Sequence, residues 1–105
     1  MLNWLKNTLG GGPSTDFKEL VKEGSPIIDV RTPSEFRSGH IDGAINIPLD
    51  TLSRNMDKLK EMKQPIITCC LSGGRSGAAA TKMKNAGIEA VNGGGWMSLQ
   101  GKLVE

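Results

Sequence analysis

The sequence predicts a single α/β domain: a parallel sheet of four to five strands flanked by helices on both faces. Three observations carry this. Short β-branched runs alternate with stretches of helical composition along the chain. Each run is bounded by Gly or Pro turn signals. The length, 105 residues, suits one domain and leaves no room for a second core of similar size.

The elements follow in order. Leu2, Trp4, Leu5 and Leu9 have helix-like spacing before the Gly10–Gly12 break. Residues 1–13 therefore read as a helical extension and Gly-rich linker, and residues 14–105 as the domain. Ser14–Glu23 reads as a helix, with Asp16 and Glu19 at capping-box spacing and Gly24 as its stop. Pro26 launches Ile27-Ile28-Asp29-Val30, a buried-strand pattern. Thr32-Pro33-Ser34-Glu35 is a helix start, with a Thr cap, Pro at the first helical position and Glu three residues after the cap; Gly39 ends that helix. Ala44–Ile47 reads as a strand stopped by Pro48, and Asp50 or Thr51 to Lys60 as a helix with Leu52, Met56 and Leu59 on one face. Pro65–Cys69 is the third strand, Ser76–Ala86 a helix closed by Gly87, and Ile88–Asn92 the fourth strand. Gly93–Gly95 then reads as a loop before a short helix from Trp96. Right-handed crossovers would bring the C-terminal ends of the strands to one edge, where such folds carry their sites.

Composition excludes several functions. Thirteen basic against 11 acidic residues leave +2, too little charge for nucleic-acid or membrane binding by charge alone. No apolar run approaches the roughly 20 residues of a spanning helix. The N-terminus lacks the charged and continuous apolar regions of a secretory signal. The two cysteines, Cys69 and Cys70, are adjacent and cannot staple distant parts of the chain. One His and no CxxC pair leave no structural zinc site. Unpaired thiols fit a reducing compartment, so the expected location is the cytoplasm.

The chemistry concentrates in Cys70-Leu71-Ser72-Gly73-Gly74-Arg75-Ser76, between a buried strand and a helix N-terminus. Gly73 and Gly74 allow a tight turn that presents N–H groups inward. The helix start supplies unpaired N–H groups and the positive end of its dipole. Arg75 adds a cation with several donors. All three favour a thiolate on Cys70, a nucleophile facing an anion site. Cys69 should point to the opposite side of the strand and serve packing.

These residues resemble the rhodanese family of sulfurtransferases in its small single-domain form. The loop CLSGGRS fits the family pattern Cys-x-x-Gly-x-Arg-Ser. Asp29-Val30-Arg31, Glu35-Phe36 and the run from Gly39 to Pro48 are similar to its upstream signature, and Asn92–Trp96 to its closing Gly-Gly segment. The resemblance covers roughly Ser14 to Leu103. It implies a five-stranded parallel sheet, with a first strand near Gly12–Thr15. It also implies sulfur transfer: Cys70 takes the outer sulfur of a small-molecule donor such as thiosulfate as a persulfide, and a thiophilic acceptor, cyanide or a thiol, removes it. Leu71 through Ser76 would bind the donor, and no metal or organic cofactor is needed. A protein thiol is a further candidate acceptor.

Other residues allow two roles. His40 reads as a polar side chain holding its loop, with acid–base work as the alternative. Asp29 would orient Arg75 or Arg31, or cap a helix. Arg31 and Glu35 could pair. Trp96 would line the pocket mouth in preference to filling the core. Leu71 is apolar where many family members carry a cation, which leaves Arg75, the loop N–H groups and Lys82 or Lys102 to meet an anion. Two rival functions remain: a phosphatase, since Cys69 begins a Cys-x5-Arg frame, and a partner-binding or sulfur-relay module without turnover.

Overall fold

A computed structural model describes residues 15–104. In chain order the elements are α1 (Phe17–Lys22), β1 (Ile27–Asp29), α2 (Pro33–Ser38), β2 (Ile45–Asn46), a 3₁₀ helix (Leu49–Asn55) running into α3 (Met56–Lys60), β3 (Ile66–Cys70), α4 (Gly74–Asn85), β4 (Ala90–Gly95) and α5 (Trp96–Leu103). The strands form one parallel sheet in the order β2-β1-β3-β4. The α/β class expected from the alternation is therefore the class observed, with four strands among the described residues. The helical reading of residues 1–9 and most of the implied first strand near Gly12–Thr15 lie outside those residues.

Every side chain of β1 and β3 is buried, as expected for parallel strands covered on both faces. Alternation sends these side chains into two cores. Ile28, Val30, Ile66 and Cys70 meet Leu52, Leu59, Ala79 and Met83 on one face. Ile27, Ile67 and Cys69 meet Phe17 and Leu99 on the other. Leu52, Leu59, Met83 and Leu99 are wholly buried, each worth about 1.5–3 kcal/mol of apolar transfer. The helices on both faces are thus held chiefly by their contact with the sheet.

The start signals act as read. Asp16 Oδ1 accepts from the Glu19 N–H at 3.1 Å. Thr32 and Glu35 form a reciprocal capping box at the head of α2, which Gly39 ends. Several boundaries differ from the sequence reading. The Ala44–Ile47 strand pairs only at Ile45 and Asn46. The helix expected from Asp50 or Thr51 begins as a 3₁₀ segment; Thr51 and Asn55 side chains bond the Pro48 and Thr51 carbonyls and compete with the regular ladder. The third strand runs on to Cys70, so Cys69 is not its last residue.

The fourth strand begins and ends later than Ile88–Asn92, and it takes in the three glycines read as a loop. Close approach explains Gly93 and Gly95, and a φ of +83° explains Gly94. A Cβ on Gly93 would sit 2.7 Å from the Thr68 carbonyl oxygen and 2.9 Å from Leu99 Cδ2. One on Gly95 would sit 2.7 Å from the Leu71 carbonyl oxygen. The register shift between Thr68 and Cys70 brings Gly95 beside Cys70, so this backbone forms the floor of the cysteine loop.

Candidate active site

Cys70 ends β3 at the C-terminal edge of the sheet, and α4 begins four residues later. The intervening turn closes through Gly73, at φ +108°, a conformation that side-chain-bearing residues rarely adopt. This turn folds the loop back over the sulfur. The Gly73 N–H reaches Cys70 Sγ at 3.0 Å and the Ser76 N–H reaches it at 3.4 Å. Ser76 Oγ lies 3.3 Å from the same sulfur. Burial alone would push the Cys70 thiol up. The Ser76 hydroxyl and the N–H groups of Ser76, Gly73 and Ser72 outweigh burial and bring it below the ordinary thiol range. The first turn of α4 is tied to the sheet as well, since Thr68 Oγ1 donates to the Ser76 carbonyl at 2.8 Å.

Cys69 has the opposite environment. It faces the other core, and burial, with Asp29 adding to it, pushes its thiol up to about 12. The loop of donors is thus framed from Cys70, and the Cys-x5-Arg count from Cys69 begins on a thiol that points away from it.

Three of the proposed loop residues, Gly73, Ser76 and Cys70, converge on one point. Leu71, Ser72 and Gly74 lie on the exposed rim, Leu71 at 53% exposure. Arg75 departs from expectation. Its guanidinium is bidentate to Glu35, with Nη1–Oε1 at 2.7 Å and Nη2–Oε2 at 3.0 Å. Glu35 therefore spends its carboxylate on Arg75 and Thr32, and the expected Arg31–Glu35 ion pair does not form; Arg31 reaches only the Glu35 backbone carbonyl, at 3.2 Å. Arg75 holds the Glu35 carboxyl down to about 2, with help from the Thr32 N–H.

Asp29 orients Arg31 and not Arg75. Arg31 Nη2 meets Asp29 Oδ2 at 2.8 Å, Nε meets Oδ1 at 3.0 Å, and both residues are buried. Arg31 also donates to the Gly39 carbonyl at 2.7 Å and lies 4.9 Å from the Trp96 ring centroid. Trp96 consequently packs on Arg31, Gly39 and the second core, which corrects the expectation that it lines the pocket mouth. His40 holds its loop as expected: Nδ1 lies 2.7 Å from the Phe36 carbonyl oxygen and the ring stacks on Phe36. Lys102 sits over the Phe17 ring.

The sequence reading missed two partners of the loop. Asn92 on β4 binds Ser76 and Gly73 from below. Its only sequence signal is its place before the glycine run. No local pattern could have matched Glu35 to Arg75, since 40 residues separate them. A cavity of about 430 Å³ adjoins Arg75, lined also by Val30, Thr32, Pro33, Pro48, Leu49, Asp50 and Thr51. A larger cleft of about 630 Å³ lies between α1 and the start of β4 and contains neither Cys70 nor its loop. Among the described residues no acidic, His and Cys cluster could hold a metal, and no helix is long and apolar enough to cross a membrane.

Comparison with known proteins agrees with this fold. The family model of the rhodanese-like domain matches residues 14–101. Thiosulfate sulfurtransferase 16 of Arabidopsis thaliana is 39% identical over 84 residues, covering 70% of this chain and 70% of that protein. YrkF of Bacillus subtilis, whose name proposes a sulfur carrier, is 38% identical over 77 residues, 71% of this chain and 41% of that longer protein. The crystal structure of a rhodanese-related protein from Thermoplasma volcanium superposes with a TM-score of 0.69 at 32% identity, covering 80% of this chain and 83% of that one. A parallel sheet ending in a cysteine loop, a family model spanning most of the domain and relatives named for sulfur transfer lead to one assignment: the chain belongs to the rhodanese-like domain family of sulfurtransferases.

Proposed function

We propose that the protein moves sulfane sulfur through a persulfide on Cys70. The observation that carries this reading is the convergence of the Gly73 N–H, the Ser76 N–H and the Ser76 hydroxyl on the Cys70 sulfur. Such a set stabilises an anion at that point. The Cys70 thiolate attacks the outer sulfur of a donor such as thiosulfate. A new S–S bond forms on Sγ, the donor's own S–S bond breaks, and sulfite leaves with that electron pair. Cyanide or a thiol then attacks the terminal sulfur, and the Cys70 thiolate is restored with the bonding pair. The loop from Leu71 to Ser76 binds the donor, with the rim residues Leu71, Ser72 and Gly74 at its mouth. The step needs neither a metal nor an organic cofactor. In this reading residues 14–105 are the catalytic domain and residues 1–13 an extension to it. Two free cysteines support a reducing compartment, and we place the protein in the cytoplasm.

The test is intact-mass measurement after incubation with thiosulfate and desalting, followed by peptide mapping. One added sulfur on Cys70, absent in Cys70→Ser, supports the reading. Sulfur on Cys69, or full cyanide-dependent turnover in Cys70→Ser, overturns it.

One observation favours a second reading, a relay that passes sulfur to a protein thiol. The Arg75 fork is filled by Glu35 and the rim carries the apolar Leu71, a poor match to a small dianion. Poor turnover with thiosulfate and cyanide, but rapid transfer from pre-formed Cys70 persulfide to a thiol-bearing protein, would favour the relay.

A further inference from the structure

Ser76 has one hydroxyl proton and three acceptors for it. Asn92 Oδ1 lies 2.7 Å from Ser76 Oγ, the Gly73 carbonyl oxygen 3.2 Å and Cys70 Sγ 3.3 Å. The orientation of the Asn92 amide is determined by its other contacts. Nδ2 donates to the Gly73 carbonyl at 3.2 Å and Oδ1 accepts from the Gly94 N–H at 2.9 Å. A flipped amide would set an oxygen against a carbonyl and an NH₂ against an N–H. With Oδ1 facing Ser76, two oxygens at 2.7 Å need a hydrogen between them, and only Ser76 has one to give.

It follows that Ser76 meets a neutral Cys70 with its lone pairs. The chain runs from the Cys70 S–H to Ser76 Oγ, and from the Ser76 O–H to Asn92 Oδ1. When Cys70 ionises, its proton leaves to solvent and the S–H electron pair stays on sulfur. The Ser76 proton then has two strong acceptors, Sγ and Asn92 Oδ1, the second of which also holds the Gly94 N–H. We propose that Asn92 is a positioning residue that sets the basicity of Cys70 by competing with it for the Ser76 hydroxyl proton. The inference rests on Cys70 being the nucleophile. It explains why a side chain on the neighbouring strand lies beneath the loop: the competition makes the hydroxyl a two-position donor, on Asn92 for the thiol and on sulfur for the thiolate. Gly77 accommodates the arrangement, since a Cβ there would lie 3.1 Å from Asn92 Nδ2.

Other charges near Cys70 do not change with the Ser76 proton. Arg75 of α4 is paired with Glu35 of α2. The Asp29–Arg31 pair at the end of β1 acts on Cys69, which faces the other side of β3.

The test is the pH midpoint of Cys70 alkylation, read by peptide mass, in Asn92→Leu and Asn92→Asp, each with Ser76 present and with Ser76→Ala. Removing the competing acceptor in Asn92→Leu should lower the midpoint by about half to one pH unit, and the shift should vanish in Ser76→Ala. Asn92→Asp should raise the midpoint, more with Ser76 present than without it, because a carboxylate holds the proton more firmly. An unchanged or raised midpoint in a folded Asn92→Leu, or equal shifts with and without Ser76, overturns the proposal. If Asn92→Leu does not fold, the Asn92→Asp pair decides by the same criterion. Sulfur loading of the parent is measured separately. If Cys70 takes no sulfur while the midpoints move as stated, sulfur transfer fails and the proton competition stands.

Discussion

Arg75 and Glu35, 40 residues apart in sequence, form a two-pronged ion pair at 2.7 and 3.0 Å. It straps the start of α4, which carries the cysteine loop, to α2. Because the Thr32 N–H binds the same carboxylate at 3.0 Å, the pair is built on the capping box of α2. The loop arginine is thus a brace beside the site, and the donors that touch the sulfur are the backbone and Ser76.

The first prediction concerns thiol acidity. Arg75→Ala should move the midpoint of Cys70 alkylation by less than about half a pH unit, because no donor at Sγ comes from that side chain. Ser76→Ala should raise the midpoint, since it removes the hydroxyl that favours the thiolate. A larger effect from Arg75→Ala than from Ser76→Ala would show that charge governs the thiol and that the hydrogen bonds do not.

A second prediction follows from the exposed Leu71. Leu71→Arg should lower the Michaelis constant for thiosulfate by about two- to fivefold, the size of one exposed charge pair. The gain should shrink as salt rises. Steady-state assays at two ionic strengths decide this, and an unchanged constant would mean that the donor does not approach over the Leu71 rim.

The Glu35 carboxyl, lowered from 4.5 to about 2 first of all by Arg75, gives a pH prediction. A depressed carboxyl stabilises the fold fully above its ordinary value, and that contribution is lost as pH falls toward 2. Glu35→Gln should therefore lower the melting temperature modestly at pH 6 and hardly at all near pH 2, because the pair is part-exposed to solvent. Thermal melts of both proteins across that range test it. A gap that widens toward acid would contradict the sign.

Arg31 should prove the costlier arginine. It is buried against Asp29, so Arg31→Met strands a buried carboxylate at a cost of about 3–5 kcal/mol. Urea unfolding measures this directly. A loss below about 1 kcal/mol would mean that the buried pair contributes no more than an exposed one.

Selectivity between the adjacent cysteines is the last expectation. Iodoacetamide at pH 8 should modify Cys70 at least about a hundredfold faster than Cys69, whose thiol is pushed up to about 12 by burial. Peptide mapping over time reads the ratio. Comparable rates would mean that β3 opens readily.

Local chemistry explains what could be read without coordinates. The β-branched runs, the Thr32 cap with Pro33 and Glu35, and the glycine turns each act within a few residues. They determined the alternation of elements, the parallel sheet and the position of Cys70 at a strand end facing a helix N-terminus. Strand alternation also separated Cys69 from Cys70, since neighbouring side chains on a strand face opposite sides. Tertiary structure decided whatever depends on neighbours distant in sequence. Arg75 could have faced the thiolate or a carboxylate, and only the placement of α2 beside α4 gave it Glu35. The glycines from Gly93 to Gly95 carry the same composition as a loop, and only their pairing with β3 makes them part of a strand. Asn92 looks like any polar residue before a turn until the register of β3 and β4 sets its amide under Ser76. The physical reason is common to all three: a side chain's local propensity is its own, but its hydrogen-bond and charge partners are whatever the fold brings within 3 Å or so of it.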